Sequence, residues 1–393
     1  MKDFSNENIR FVMKTEMLVG DGITKDLSKH LKANSWGKVG LVIDKGLFEK
    51  NQYVVKILED LKSNLAEVVL FLNDMPEPTY EYLDTAAKTF RDADLDCFVA
   101  IGGGSTMDLS KGLAVLKTNK GKGLEYRGFN KVKNIPLPVV AIPSTAGTGS
   151  EVTPFAVFID EVEKWKFGIN TEYNYPRLGL YDQRLLDSCP LKIFSSAGMD
   201  AMTHTLESFV ARNATHISRI FSREAFKLLF LNLKKVSEGD RSKETKLNLL
   251  IGSGLAGIAL MNSGAGPAGA LSYPLGVYFN VPHGLAGSVF LPEVIRFNVQ
   301  NGYNEYEQLY DLAFPDSGLS IQEKSIKFAE AIETLSRELG IPTNLKGFGV
   351  QSEADLRLII DNSMQLKAAF EQNPIPFGLK EIENTVRSLH GGE

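Results

Sequence analysis

The segment CFVAIGGGSTMD, residues 97–108, carries the pattern that decides the fold. From Cys97 to Ile101 the chain is continuously apolar, which is typical of a strand buried on both faces of a parallel sheet. The glycines that follow allow a tight turn into a helix and let backbone N–H groups approach a phosphate. The alternative interpretation is an ordinary strand-to-helix turn in which Ser105 or Asp108 caps the helix.

The same pattern occurs on both sides of this segment. Further apolar runs at residues 39–43, 68–71 and 138–142 alternate with helical patterns at 52–64 and 80–92. Alternating strands and helices predict a mostly parallel, Rossmann-like sheet that is covered by helices. Such an open sheet binds its ligand at the carboxyl ends of its strands, where glycines follow these runs.

Strand signals fade after about residue 190. The later helical patterns lie at residues 197–212, 218–236, 243–261 and 321–339. We therefore predict an α/β domain over residues 1–186 and an all-α domain over residues 187–393.

A second loop, PSTAGTGSE at residues 143–151, also follows a predicted strand. Its small residues and hydroxyl groups permit close contact with a polar ligand, although a flexible turn is the alternative. Asp44 ends the strand at residues 39–43, where a carboxylate can bind ribose hydroxyls and repel a 2′-phosphate. This placement favours NAD over NADP, and a helix N-cap is the alternative role for Asp44.

Three candidate metal ligands lie in the second half of the chain. Asp200 and His204 are four residues apart in a helical pattern and therefore share one helix face. His283 offers a third donor. Two histidines and a carboxylate suit zinc or ferrous iron with open positions for substrate. The alternative is a decayed site in which these side chains have only structural roles.

Composition narrows the function classes. A formal net charge of −5 argues against nucleic acid or an anionic membrane surface as the main partner. Cys97 and Cys189 are too few for a disulfide framework and fit a reducing compartment. The sequence contains no apolar run of membrane-spanning length and no signal-peptide core at its start. We expect a cytoplasmic protein without a nucleic-acid or membrane partner.

Four motifs occur in a fixed order along the chain: GGGSTMD at 102–108, PSTAGTGSEVT at 143–153, GMDAMTH at 198–204 and PHG at 282–284. Together they resemble the iron-containing (group III) alcohol dehydrogenase family, and the similarity runs nearly end to end. The resemblance implies a dehydroquinate synthase-like architecture, in which the α/β domain is the dinucleotide-binding domain and the helical domain binds the metal and substrate, and it implies a homodimer. It also implies hydride transfer between NAD(P) and a small-molecule primary alcohol or aldehyde.

The resemblance also assigns cofactor-binding positions. The residues expected to hold the pyrophosphate and neighbouring groups are Gly103, Gly104, Ser105 and Asp108. Thr145 and Thr148 are expected along the cofactor towards the nicotinamide. Lys166 matches a lysine near the nicotinamide ribose and is a candidate catalytic residue.

Two departures from the family pattern lie near the expected metal. The resemblance implies that Asp200, His204 and His283 are ligands, but it also expects two further histidines. Gly269 stands where the family has another ligand, and Tyr273 stands where it has a proton-relay histidine. A phenol is a poorer base than imidazole at neutral pH. We therefore interpret Tyr273 either as a catalytic hydrogen-bond donor or as an aromatic side chain that lines the site.

These observations predict a metal-assisted dehydrogenase for a polar substrate. Gly269 removes bulk and Tyr273 adds a hydroxyl, which suits a sugar, polyol or sugar acid. The segment 272–276 resembles a branch that oxidises the C8 hydroxyl of 3-deoxy-octulosonic acid. The alternatives are a metal-depleted nucleotide-binding homologue without catalysis, and a cyclase or lyase similar to dehydroquinate synthase.

Overall fold

The computed structural model describes residues 8–391. It divides into two compact units. The α/β unit is Met13–Pro190, and the helical unit is Leu191–Glu393 together with the segment that ends at Val12. The sequence predicts the boundary between residues 186 and 187, and it places the N-terminal segment in the α/β half.

Local contacts explain why the N-terminal segment groups with the helices. The backbone N–H of Val12 donates to Asn262 Oδ1 at 2.7 Å, and Asn262 Nδ2 donates to the Val12 carbonyl at 2.9 Å. Phe11 stacks on Phe221 with ring centroids 5.1 Å apart. These contacts join residues that are far apart in the sequence, so no local sequence pattern predicts them.

Within the described residues, the α/β unit contains nine strands and five α-helices. The strands are β1 Glu16–Val19, β2 Lys38–Asp44, β3 Glu67–Asn73, β4 Cys97–Gly102, β5 Gly128–Phe129, β6 Val139–Pro143, β7 Val157–Asp160, β8 Trp165–Asn170 and β9 Leu178–Tyr181. The helices are α1 Leu27–Ala33, α2 Lys45–Lys50, α3 Gln52–Asn64, α4 Tyr80–Phe90 and α5 Gly104–Thr118.

Six strands form the main sheet in the order β1-β9-β6-β4-β2-β3, and every pair in it is parallel. All residues of β4 are buried, which accounts for its continuous apolar sequence. From β2 the chain continues to β3 on one side, whereas β4 and β6 lie on the other side. The carboxyl ends of β2 and β4 therefore form the switch point at which open α/β sheets bind ligands.

A smaller three-stranded sheet has the order β5-β8-β7. β7 pairs with β8 in antiparallel fashion, and β5 pairs with β8 in parallel fashion. β8 carries Lys166, one of the residues predicted to bind the cofactor.

The regular elements described between residues 191 and 391 are all helices. The α-helices are α6 Leu191–Val210, α7 His216–Ser237, α8 Lys243–Ser263, α9 Pro267–Phe279, α10 His283–Gln300, α11 Glu307–Ala313, α12 Ile321–Glu338, α13 Glu353–Ser363, α14 Lys367–Glu371 and α15 Leu379–Gly391. Side-chain caps begin several of them, for example Thr215 at α7, Ser242 at α8 and Ser320 at α12. Gly264 ends α8 with φ +109°, a conformation that favours glycine.

In the part of the chain that the structure describes, no single helix is both long and apolar enough to span a membrane. The pair α8 and α9, bent by 107°, passes that test of length and composition when taken together.

Candidate functional site

Three side chains of types that can bind a metal ion meet inside the helical unit. Asp200 and His204 lie one turn apart on α6, and His283 is the first residue of α10. Oδ1 of Asp200 lies 3.8 Å from Nε2 of each histidine. One ligand atom from each residue lies within 4.8 Å of the other two, and no other group of at least three His, Cys, Asp or Glu residues between 8 and 391 has this spacing. We call these three residues the donor cluster.

Close packing of two helices brings the donor cluster together. Gly284 follows His283 on α10 and lies so near Ser196 and Asp200 of α6 that an added Cβ atom would overlap both. Because Gly284 has no side chain, α10 can approach α6 closely enough for His283 to face Asp200.

His283 contacts two residues of α9. Its Nδ1 lies 2.9 Å from Ser272 Oγ. The Tyr273 ring packs edge-to-face against the imidazole, with centroids 5.2 Å apart. Tyr273 is half-buried. The structure therefore places this candidate catalytic residue in contact with the donor cluster, next to a serine to which the sequence assigned no role.

Glu207 is a buried carboxylate that the sequence prediction missed. It accepts hydrogen bonds from the backbone N–H groups of Gly266 at 2.8 Å, Ala268 at 2.6 Å and Gly269 at 3.1 Å, so it caps the start of α9. Burial raises the pKa of Glu207, while these bonds and the nearby His204 act in the opposite direction. Its spacing from the two predicted ligands on α6 was the available signal, because positions i, i+4 and i+7 share a helix face.

Gly269 contributes backbone atoms near the donor cluster. A Cβ atom there would lie 3.0 Å from Glu207 Oε2 and 4.0 Å from the Cβ of Ala265. A larger side chain at this position would therefore require Glu207 to shift. The Gly269 carbonyl accepts a hydrogen bond from Ser272 Oγ at 2.6 Å, which links this position to His283.

The two glycine-containing loops of the α/β unit pack against each other after the neighbouring strands β4 and β6. A Cβ atom on Gly104 would lie 2.5 Å from Cγ2 of Thr148, and one on Gly103 would lie 3.2 Å from Oγ1 of Thr145. These four predicted cofactor positions are therefore brought together, and a side chain at Gly104 would force the loops apart.

The start of α5 has no side-chain cap from the described residues, and its N-cap residue is Gly103. The alternative in which Ser105 or Asp108 caps this helix is therefore wrong. Asp108 instead accepts hydrogen bonds from Ser150 Oγ at 2.6 Å and from the Val157 N–H at 3.0 Å. Uncapped N–H groups at a helix start after a glycine turn suit a phosphate.

A buried lysine ties the second loop to α5. Lys111 Nζ donates to three backbone carbonyls within residues 150–155 at distances between 2.6 and 2.9 Å. Burial lowers the pKa of Lys111 to about 8, although the charges of Asp108 and Glu151 act in the opposite direction. Burial also raises the pKa of Glu151 to about 7. This cluster fixes the loop that carries the predicted cofactor positions.

Asp44 lies at the carboxyl end of β2, beside the switch point of the main sheet. Its Oδ1 accepts the N–H of Leu47 at 2.7 Å and caps α2. The N-cap role is therefore present. A carboxylate has a second oxygen, so the cap and a contact with a ribose can coexist.

Lys166 lies on β8 and its side chain is 10% exposed. Its Nζ lies 2.7 Å from Glu77 Oε2. This ion pair holds the lysine within the α/β unit, away from bulk water.

Comparison with known proteins assigns the chain to a family. The model of the family described as iron-containing alcohol dehydrogenase matches residues 14–183. The model of the C-terminal part of the Fe-containing alcohol dehydrogenase family matches residues 194–390. The chain belongs to the iron-containing alcohol dehydrogenase family. It is an alcohol dehydrogenase-like oxidoreductase.

Full-length relatives and solved structures agree with this assignment. The chain is 32% identical over 347 residues to a 1,3-propanediol dehydrogenase from Klebsiella pneumoniae, covering 88% of this chain and 89% of that protein. It is 27% identical over 379 residues to an NAD-dependent methanol dehydrogenase from Bacillus methanolicus, covering 96% and 99%. A crystal structure of a 1,3-propanediol oxidoreductase superposes with a TM-score of 0.91 at 28% identity, covering 98% and 100%.

These comparisons confirm three predictions from the sequence: the family, the fold class and the enzyme class. They also support a small-molecule alcohol or aldehyde as the substrate class. The individual cofactor and metal residues, the sugar-type substrate, the choice between NAD and NADP and the homodimer stay predictions.

Proposed function

We propose that this protein is a metal-dependent, NAD-linked alcohol dehydrogenase in which Asp200, His204 and His283 hold one divalent ion. The donor cluster carries this proposal. Its carboxylate and two imidazoles form a donor set suited to zinc or ferrous iron. Two donors bound to one ion at about 2.1 Å each lie at most about 4.2 Å apart, and the 3.8 Å separations from Asp200 fall within that limit.

The same separations favour a shared ion over direct hydrogen bonds among the three side chains. At 3.8 Å the Asp200 oxygen lies too far from either imidazole for a good direct hydrogen bond. A divalent cation bound between them would be a shared partner for one donor atom of each of the three side chains. The residues present therefore fit a metal ion even though Gly269 supplies no ligand.

The α/β unit supports the cofactor half of the proposal. The uncapped start of α5 and the packed loops of Gly103, Gly104 and Thr148 suit the pyrophosphate of a dinucleotide. Asp108 would act by fixing these loops, since its oxygens bond Ser150 and Val157. The carboxylate at the switch point, Asp44, favours NAD because it would repel a 2′-phosphate.

When bound, the metal would polarise the substrate oxygen as a Lewis acid and NAD would accept the hydride. The chain itself orients these groups. Ser272 and Tyr273 hold the His283 ring. We propose Tyr273 as a hydrogen-bond donor to a substrate hydroxyl and Lys166 as a cation near the nicotinamide ribose.

We further propose a small hydroxylated substrate such as a polyol, sugar or sugar acid, with 3-deoxy-octulosonic acid as one test compound. The Klebsiella relative is a 1,3-propanediol dehydrogenase, so a diol is the natural starting point. We also propose that the protein is a homodimer and that it is located in the cytoplasm.

A substrate panel tests the function. Purified protein reconstituted with Zn²⁺ or Fe²⁺ is assayed with NAD and NADP against ethanol, butanol, 1,3-propanediol, glycerol and sugar acids. We expect metal-dependent NADH formation, fastest with a hydroxylated substrate. NAD binding without metal binding or turnover on any compound would instead support the metal-depleted homologue, in which Gly269 has disabled the site.

A further inference from the structure

The two nitrogens of the His283 imidazole face different polar groups. Nε2 lies 3.8 Å from Asp200 Oδ1, and Nδ1 lies 2.9 Å from Ser272 Oγ on the opposite edge of the ring. The ring therefore directs one nitrogen to the donor cluster and the other to a hydroxyl. Which nitrogen carries the proton decides whether Nε2 has a lone pair for a metal.

A second hydrogen bond fixes the direction of the first. Ser272 Oγ lies 2.6 Å from the Gly269 carbonyl, which can only accept. The single hydroxyl proton of Ser272 is therefore donated to Gly269. Towards His283 the hydroxyl can then only accept, so Nδ1 carries the proton and Nε2 keeps its lone pair.

Gly269, which accepts the hydrogen bond from Ser272, is itself held in place by Glu207. The N–H of Gly269 donates to Glu207, as do the N–H groups of Gly266 and Ala268. Glu207 lies on α6, three residues after His204. The helix that carries two donors thus holds the start of α9, and α9 in turn orients the third donor on α10.

His204 lacks such support. Its Nδ1 is buried and has no hydrogen-bond partner within residues 8–391. A metal-binding histidine normally donates its other ring N–H to an acceptor, which fixes the tautomer and ring orientation. Of the two histidines in the donor cluster, His283 therefore has a hydrogen-bond acceptor at its Nδ1 within the described residues, and His204 has none there.

We propose that Ser272 is a positioning residue that holds His283 in the tautomer and orientation needed to bind the metal through Nε2. The proposal rests on the metal site advanced under the proposed function. The hydrogen bonds from His283 to Ser272 and from Ser272 to Gly269 restrict the motion of the His283 ring. In this proposal a rigid His283 offsets the lack of a metal ligand at Gly269.

Substitution of Ser272 tests this role through metal binding. Ser272→Ala removes the hydroxyl, and Ser272→Cys keeps the shape with a weak donor and acceptor. Ser288→Ala is the matched control, because Ser288 is equally buried and lies on α10, but its hydroxyl donates to Leu285. The readouts are Zn²⁺ affinity by competition with a chelator, and the visible absorption spectrum of the Co²⁺-loaded protein, which reports ligand geometry.

We expect Ser272→Ala to bind Zn²⁺ about tenfold more weakly with an altered Co²⁺ spectrum, Ser272→Cys to fall between, and Ser288→Ala to match the wild type. Thermal unfolding of each apoprotein accompanies the assay, so that the affinities of folded variants are compared. Unchanged affinity and an unchanged Co²⁺ spectrum in both Ser272 variants would overturn the positioning role. His283→Ala separates the two proposals: if it binds Zn²⁺ as tightly as the wild type, the metal site itself is wrong.

Discussion

A Cβ atom on Gly284 would lie 2.1 Å from the carbonyl oxygen of Ser196. The contact is with backbone, so no side-chain rotation can relieve it. The same Cβ atom would lie 2.9 Å from the Cβ of Asp200, a member of the donor cluster. The distance between α6 and α10, and with it the separation of Asp200 from His283, therefore depends on the absence of a side chain at position 284.

We predict that Gly284→Ala destabilises the protein by about 2 kcal/mol or more, because overpacking in a tight interface forces the helices apart. Metal affinity should fall as well. Gly287→Ala is the control on the same helix, since its Cβ would meet Thr203 at an ordinary 3.5 Å. Chemical denaturation and Zn²⁺ titration measure both effects, and equal stability of the two variants would contradict the packing argument.

The hydroxyl and the ring of Tyr273 have separable roles, and one substitution distinguishes them. Tyr273→Phe keeps the aromatic contact with His283 and removes the phenol. If the phenol binds a substrate hydroxyl, KM for a polyol should rise about tenfold, the value expected for one lost hydrogen bond of about 1.4 kcal/mol, while KM for butanol stays constant. Steady-state kinetics on both substrates measure this. Parallel changes for the two would assign Tyr273 to lining the site.

Asp44 is predicted to act in cofactor choice and in capping, and two substitutions separate these roles. Asp44→Ala removes both the charge and the cap, whereas Asp44→Ser removes the charge but keeps a capping hydroxyl. Both should narrow the preference for NAD over NADP by about tenfold, but only Asp44→Ala should lose about 1 kcal/mol of stability. A preference that is unchanged in both variants would leave Asp44 as a cap alone.

Glu151 gives a prediction about pH. Its raised pKa, about 7 against an ordinary value of 4.5, means that the folded state holds a proton that the unfolded state releases between these values. Stability from this group is therefore present at low pH and falls as pH rises from about 5 to 7. The full effect is on the order of 3 kcal/mol, from a pKa difference of about 2.5.

Glu151→Gln should remove this part of the pH dependence. Thermal melts from pH 5 to 7.5 should show a smaller loss of stability for Glu151→Gln than for the wild type. Glu161→Gln, at an exposed glutamate ten positions further along the chain, serves as the control. Parallel curves for the wild type and Glu151→Gln would show that the carboxylate stays ionised across this range.

The sequence predicted those parts of the fold that local patterns encode. The apolar runs at β2, β4 and β6 were visible because central parallel strands are apolar throughout. The partly buried edge strand β3 carries a similar apolar run. The α3 helix was predicted with the bounds that the structure gives. The short strand β1 was missed, since its four residues carry no clear alternation. The attachment of the N-terminal segment to the helical unit depends on the Val12–Asn262 pair, 250 residues apart.

The candidate site shows the same limit. Helical spacing was sufficient to place Asp200 beside His204. The sequence also predicts His283 as the third donor, and the structure brings it close to the other two. Sequence spacing could not reveal that Glu207 caps α9 or that Ser272 bonds His283, because both contacts join different helices. Such contacts follow from tertiary packing, which a single sequence does not specify residue by residue.

The measurement that most directly tests the account is the metal content of freshly purified protein and of His283→Ala by inductively coupled plasma mass spectrometry, alongside NAD affinity. We predict about one zinc or iron ion per wild-type chain, little metal in His283→Ala, and similar NAD affinity in both, since the predicted cofactor residues lie in the α/β unit. Turnover of the variant should fall by at least about 100-fold, equivalent to 2.7 kcal/mol of lost transition-state stabilisation. Wild-type protein that holds no metal after anaerobic reconstitution, or a His283→Ala variant with full metal content, would contradict the three-donor site.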